Sequence, residues 1–248
     1  MSTGLILAIE TSNPTADPGH AASVALARSS PHTLETLATI PLGNTEATGL
    51  MPCIERCFAV AGLSPRDLRA PGSRIGVSVG PGGYTSVRIA VTAAKMLAES
   101  TGALCVPVPT PLVVARSIPI DARADANGPH PFVVALASKR DTAWLVLFGP
   151  DRSELRVLGL VDHHAIDSAA HEGARTLIVD RFAPPAMLER AAALGLRVHP
   201  PRFDPLACAA LTLERAPIDP LALAPVYPRE PEAVTKWRAL MRNPSIRP

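Results

Sequence analysis

Lysine is scarce in this chain, with only Lys95, Lys139 and Lys236 in 248 residues. The 24 basic residues stand against 22 acidic ones for a net charge of +2, and no basic run occurs. A domain that grips nucleic acid unaided shows a strongly basic face, so autonomous RNA binding is not expected. The one local excess lies in the tail, where Arg229, Lys236, Arg238, Arg242 and Arg247 face Glu230 and Glu232. Cysteine is also sparse. Cys53, Cys57, Cys105 and Cys208 are too few for a disulfide framework in a chain this long, so a reduced, cytoplasmic protein is expected. No uninterrupted apolar stretch reaches the ~18–20 residues of a membrane span. The N-terminal apolar run is broken by Glu10 and lacks a basic flank, so it reads as a first strand rather than a signal peptide.

Metal-binding and nucleophile patterns are missing as well. Two histidines four apart on a helix would share a face and could hold a metal, but His20, His32, His130, His163, His164, His171 and His199 include no such pair. Cys53 and Cys57 do share a helical face, yet nothing completes a ligand set, and buried core cysteines are the stronger reading. No GxSxG elbow or Ser-His-Asp grouping is evident.

What is present is a globular pattern, 47% hydrophobic and 19% charged. Strands are expected at 5–10, 22–27 and 33–40, and a helical repeat follows through Ala47, Leu50, Met51, Ile54, Cys57, Phe58 and Ala61. Pro52 means that this helix either begins near Gly49 or kinks there. A strand at 74–79, a helix at 85–99, a strand at 105–108 and a helix opened by Pro109-Thr110-Pro111 continue the series. Residues 117–131 are polar and rich in Pro and Gly, a candidate interlobe linker. Strands at 132–137, 143–148, 155–161 and 176–180, with helices near 164–172, 185–194 and 205–215, then repeat the theme of strands first and alternation after. This pattern predicts a two-lobed α/β protein.

The most informative segment is Val77–Ala98. A strand running into Gly80-Pro81-Gly82-Gly83 and then a helix places backbone N–H groups and a helix dipole at one spot, which suits a phosphate or carboxylate. The same glycines serve a tight strand-to-helix turn, and the spacing is neither of the common phosphate-loop types. On the glycines alone the turn is the stronger reading. The helix beyond is apolar around most of its circumference, with Val87, Ala90, Val91, Ala94 and Leu97. It must therefore be covered on more than one side, by its own lobe or by a partner.

AIETS at 8–12, SVALA at 23–27, GPGGYTSVRIAVTAAKMLA at 80–98 and PVYPREPEAVTKWRAL at 225–240 together resemble the TsaB (YeaZ) family, which takes part in bacterial synthesis of threonylcarbamoyladenosine in tRNA. The likeness runs through the first ~110 residues, fades, and returns at the tail. Departures are Gly83 and Ser86 where the family has Ser and Gly, an insertion at 14–20, and a degenerate ASKRDTAW at 137–144 with Ala137 in place of an acidic residue.

The resemblance implies a mixed-sheet fold of the sugar-kinase/actin/chaperone-ATPase (ASKHA-like) class, its sheets flanked by helices. The first lobe would span 1–112, with 221–248 returning to it, and the second 113–220. It implies a non-catalytic subunit that supports a TsaD-like catalytic paralogue, with a TsaE-like ATPase as a third component and tRNA reached only through the complex. No cofactor of its own is implied, with ATP possible in the assembled complex. In this fold class the first hairpin offers an acid and hydroxyls to a nucleotide phosphate and its metal. Glu10, Thr11 and Ser12, with Gly80, Gly82 and Gly83, are therefore the candidate phosphate site. A solvated loop anchor is the competing reading of Glu10. The candidate subunit interface is Leu50, Ile54, Phe58, Val87, Ala90, Val91, Ala94 and Leu97, through which a homodimer could also form. The alternative function is an independent ATP-binding phosphotransferase or ATPase; a peptidase reading lacks both the histidine pair and the triad.

Overall fold

A computed structural model describes residues 4–13, 23–30, 33–43 and 49–229, with Val234, Trp237, Arg238 and Leu240 beyond them. The 14–20 insertion, Ala47 and most of the tail lie outside the described residues.

Two five-stranded sheets share one topology. The first has the order β3-β2-β1-β4-β5, built from β1 (Gly4–Glu10), β2 (Ser23–Ser29), β3 (Leu34–Pro41), β4 (Arg74–Ser78) and β5 (Leu104–Val108). The second has the order β10-β9-β8-β11-β12, built from β8 (Phe132–Lys139), β9 (Thr142–Phe148), β10 (Glu154–Asp162), β11 (Thr176–Val179) and β12 (Arg197–His199). In each, the leading strand pairs antiparallel with the second and parallel with the fourth.

β1 is buried along its whole length because both faces of its sheet are covered. Leu5, Leu7 and Ile9 point to α1 (Leu50–Val60) and α2 (Tyr84–Thr101), while Ile6 and Ala8 point to α3 (Thr110–Ser117) and α6 (Pro205–Glu214). α1 begins at Leu50, capped by Gly49, so Pro52 falls in the first turn, where a missing N–H costs no intrahelical bond. In the second lobe, α4 (Ala165–His171) and α5 (Pro185–Ala193) cover one face, joined by a two-pronged Arg190–Asp167 ion pair at 2.6 and 2.7 Å.

α3 is shared between the lobes. Val113 packs with the first sheet, and Val114 and Ala115 join Phe132, Val134 and Phe148 of the second. Although α6 follows the second sheet in sequence, Ala207, Cys208 and Leu211 pack against Ile6, Ala8 and Val106. The return to the first sheet thus begins at residue 205, ahead of the 221–248 segment expected to make it.

The 117–131 stretch is not an open linker. It holds a 3₁₀ turn at Ile120–Arg123 and a short hairpin of β6 (Ala124–Asp125) and β7 (Gly128–Pro129). Ala122, Arg123 and His130 are buried within it. His130 Nε2 lies 3.1 Å from the Thr176 hydroxyl and 3.0 Å from the Arg197 guanidinium, which pins the segment to β11 and β12.

Candidate functional site

The six candidate phosphate residues do converge, at the carboxyl ends of β1 and β4. Gly80, with φ of 99°, turns the chain as only glycine does readily. Its carbonyl accepts from the Thr110 N–H at 3.0 Å. Gly82 then passes so close to β1 that a β-carbon there would meet the Ser12 carbonyl oxygen at 2.2 Å. The next residue, Gly83, donates its N–H to that oxygen at 2.7 Å, and Thr11 Oγ1 donates to the Ser86 carbonyl at 3.1 Å. The loop is therefore a backbone-to-backbone clasp between the exit of β1 and the start of α2, and the Gly83 N–H that a phosphate would need is already taken.

Glu10 is fully buried, which removes the solvated-anchor reading. It follows Ile6 and Ala8 on the face turned to α6. Oε1 accepts from both the backbone N–H, at 2.9 Å, and the hydroxyl of Ser12. Oε2 has no hydrogen-bond partner among the described residues. Burial pushes the carboxyl above its ordinary pKa, and the Asp204 carboxylate pushes the same way, against the Ser12 hydrogen bonds and the nearby Ser78 hydroxyl. Around it, Ser78 Oγ and Thr110 Oγ1 lie 2.7 Å apart. Cys208 is buried beside it, its thiol pushed well up by that burial and then by Glu10. This is a closed polar cluster rather than an open anion cradle.

The eight candidate interface residues have another role. Leu50, Ile54, Phe58, Val87, Ala90, Val91, Ala94 and Leu97 all lie in the first-lobe core. α2 is covered by the sheet, by α1, and by the 3₁₀ turns Pro65–Arg69 and Pro220–Ala222. Its small residues let these neighbours approach closely, so cover comes from the chain itself. What α2 leaves in solvent is a different set: Met96 is 66% exposed, Ile89 52% and Tyr84 49%. Ile89, Thr92 and Met96 follow one another at helical spacing on this side, and α1 leaves Met51 and Val60 exposed.

Sequence reasoning also missed an aromatic pair at the start of α2. Tyr227 stacks on Tyr84, with ring centroids 4.7 Å apart and planes at 28°. Both lie in the motifs that carried the family resemblance, which was the only signal for them, since no periodicity links residues so far apart. No group of three or more His, Cys, Asp or Glu suited to a metal occurs among the described residues. Nor is any helix among them long and apolar enough to cross a membrane.

Two mixed sheets of matching strand order, flanked by helices, place the chain in the ASKHA-like class. Two solved structures from Pseudomonas aeruginosa share the fold. One, a protein described as uncharacterized with similarity to peptidase YeaZ, aligns with a TM-score of 0.59 at 17% identity, covering 91% of this chain and 100% of its own. The other, YeaZ, aligns with a TM-score of 0.58 at 17% identity, covering 90% of this chain and 99% of its own. No curated protein matches the sequence. The model of the family described as TsaD, tRNA N6-adenosine threonylcarbamoyltransferase, matches residues 46–211, and the chain belongs to that family of tRNA-modification proteins. With the YeaZ fold, this match bears out the TsaB (YeaZ) resemblance.

Proposed function

We propose that this chain is a non-catalytic partner subunit that supports threonylcarbamoyl transfer to tRNA adenosine by a TsaD-like catalytic paralogue. A TsaE-like ATPase would be the third component, and tRNA would be reached through the assembly. The observation that carries this reading is the outer side of α2, where Tyr84, Ile89 and Met96 stand in solvent and Tyr227 stacks on Tyr84. Long apolar side chains grouped on one helix mark an association surface. The clasp supports the same reading: with the Gly83 N–H on Ser12 and Ser12 on Glu10, the switch point binds itself.

Subunit contact then uses the solvent side of α1 and α2, not the buried stripe first expected from the sequence. A second copy could cover the same surface symmetrically in isolation. The reading is tested by reconstituting the modification reaction with and without this chain. Loss of modified adenosine on omission, together with no ATP turnover by the isolated chain, is the expected result. Full modification without it, or steady turnover by it alone, would favour the independent-ATPase alternative.

A further inference from the structure

The stretch Leu223–Arg229 runs from one lobe to the other. Leu223 is buried in the first-lobe core. Val226 donates its N–H to the Val79 carbonyl at 2.7 Å, and its own carbonyl oxygen would lie 2.9 Å from a β-carbon at Gly80. Tyr227 then stacks on Tyr84 in the first turn of α2. Two residues on, Arg229 reaches the second lobe. Its guanidinium donates to the carbonyls of Lys139 at 3.2 Å and Thr142 at 3.0 Å, and to the Thr142 hydroxyl at 2.6 Å. These acceptors flank the turn between β8 and β9.

The position of this bridge matters. The chain enters the second lobe from α3 at the amino end of β8, whereas Arg229 grips the carboxyl end of the same strand. The connection through α3 at one end of β8, the return crossing from β12 to α6, and the Arg229 tie at the other end of β8 together hold the second sheet against the first. The tie also crosses the carboxyl edges of the strands, where the crevice of an open α/β sheet lies. The planar guanidinium suits the task, because it can hold several acceptors at once in one geometry.

We propose that Leu223–Arg229 is an interlobe latch. Arg229 sets the angle between the lobes by holding the β8–β9 turn, and Tyr227 links that angle to the first turn of α2. A partner seated on the exposed side of α2 is thereby coupled to lobe opening, and by linkage the coupling acts in both directions.

The test is a distance distribution between spin labels in the full chain, on Glu55→Cys of α1 and Glu189→Cys of α5. Both positions are exposed, and the four native cysteines are buried. The parent should give one narrow distribution. Arg229→Ala should broaden it and add a longer-distance population, Tyr227→Ala should do so more weakly, and Arg229→Lys should fall between Arg229→Ala and the parent. Circular dichroism verifies folding. Should Arg229→Ala unfold, Thr142→Val removes the hydroxyl arm, together with that hydroxyl's own 3.3 Å bond to the Lys139 carbonyl, and should shift the distribution in the same direction. A distribution unchanged from the parent in the folded variants overturns the latch. The measurement contains neither paralogue nor tRNA, so its outcome is independent of the subunit reading.

Discussion

Gly82 and Ser12 come from strand exits far apart in sequence, yet a β-carbon on Gly82 would sit 2.2 Å from the Ser12 carbonyl oxygen. The Gly83 N–H closes on that same oxygen at 2.7 Å. This contact joins β1 to α2 through backbone atoms that cannot rotate out of the way. Gly82→Ala should therefore destabilise the fold by about 1–3 kcal/mol, the usual cost of forcing extra volume into a packed site. Urea denaturation measures it; an alanine variant as stable as the parent would mean that the clasp is loose.

Glu10 makes a prediction whose sign follows from burial. Its carboxyl pKa is raised in the fold, so the folded state holds the proton more tightly than the unfolded chain does. Folding stability from this group is present at low pH and is lost as pH rises above the ordinary value of 4.5. Glu10→Gln keeps the shape and removes that loss. It should raise the melting temperature at pH 7.5 by ~2–4 °C, the shift that 1 kcal/mol gives a chain of this size. At the lowest pH where both proteins stay folded, the gain should shrink. An equal gain at both pH values would show that charge is not the cause.

His130 works in the opposite direction. Burial, and then the neighbouring Arg197 guanidinium, hold its pKa below the usual 6.5, against Asp125. The unfolded chain takes up the proton first, so stability should fall as pH drops through 6.5. Chemical denaturation from pH 7.5 to 5.5 should show this slope in the parent. His130→Asn should flatten it; an unaltered slope would assign the titration elsewhere.

The central strands of both sheets are legible because buried strands are continuous apolar runs, β3 shows only partial alternation, and the switch between α and β periods marks the helices. β12 is not legible, since Arg197–Val198–His199 is three residues long and two of them are polar. The 117–131 stretch looked like a linker for a related reason: its order comes from Arg197 and Thr176 reaching it from distant strands. At the site, sequence pointed to six residues that the fold does bring together, but could not say that Gly83 and Ser12 bond to each other or that Ser12 bonds to Glu10. The reading of α2 failed on cover. One sheet shields only one side of a helix, and nothing local shows that α1 and two 3₁₀ turns shield the rest. Ala94 is fully buried, so Ala94→Glu should abolish folding by leaving an unpaired charge in the core. A soluble, folded Ala94→Glu protein would contradict the packing described here.

If the solvent side of α2 is the proposed subunit surface, charges placed there should block association in a titration. The double variant Ile89→Glu/Met96→Glu changes only exposed positions, so its melting temperature should match the parent's. Titrated calorimetrically into the TsaD-like paralogue, the parent should bind, and the double variant should bind at least ~100-fold more weakly. That corresponds to about 3 kcal/mol, as expected when two charges are pressed into an apolar contact. Equal affinity of the two proteins for the paralogue would show that the partner does not sit on this side of α2.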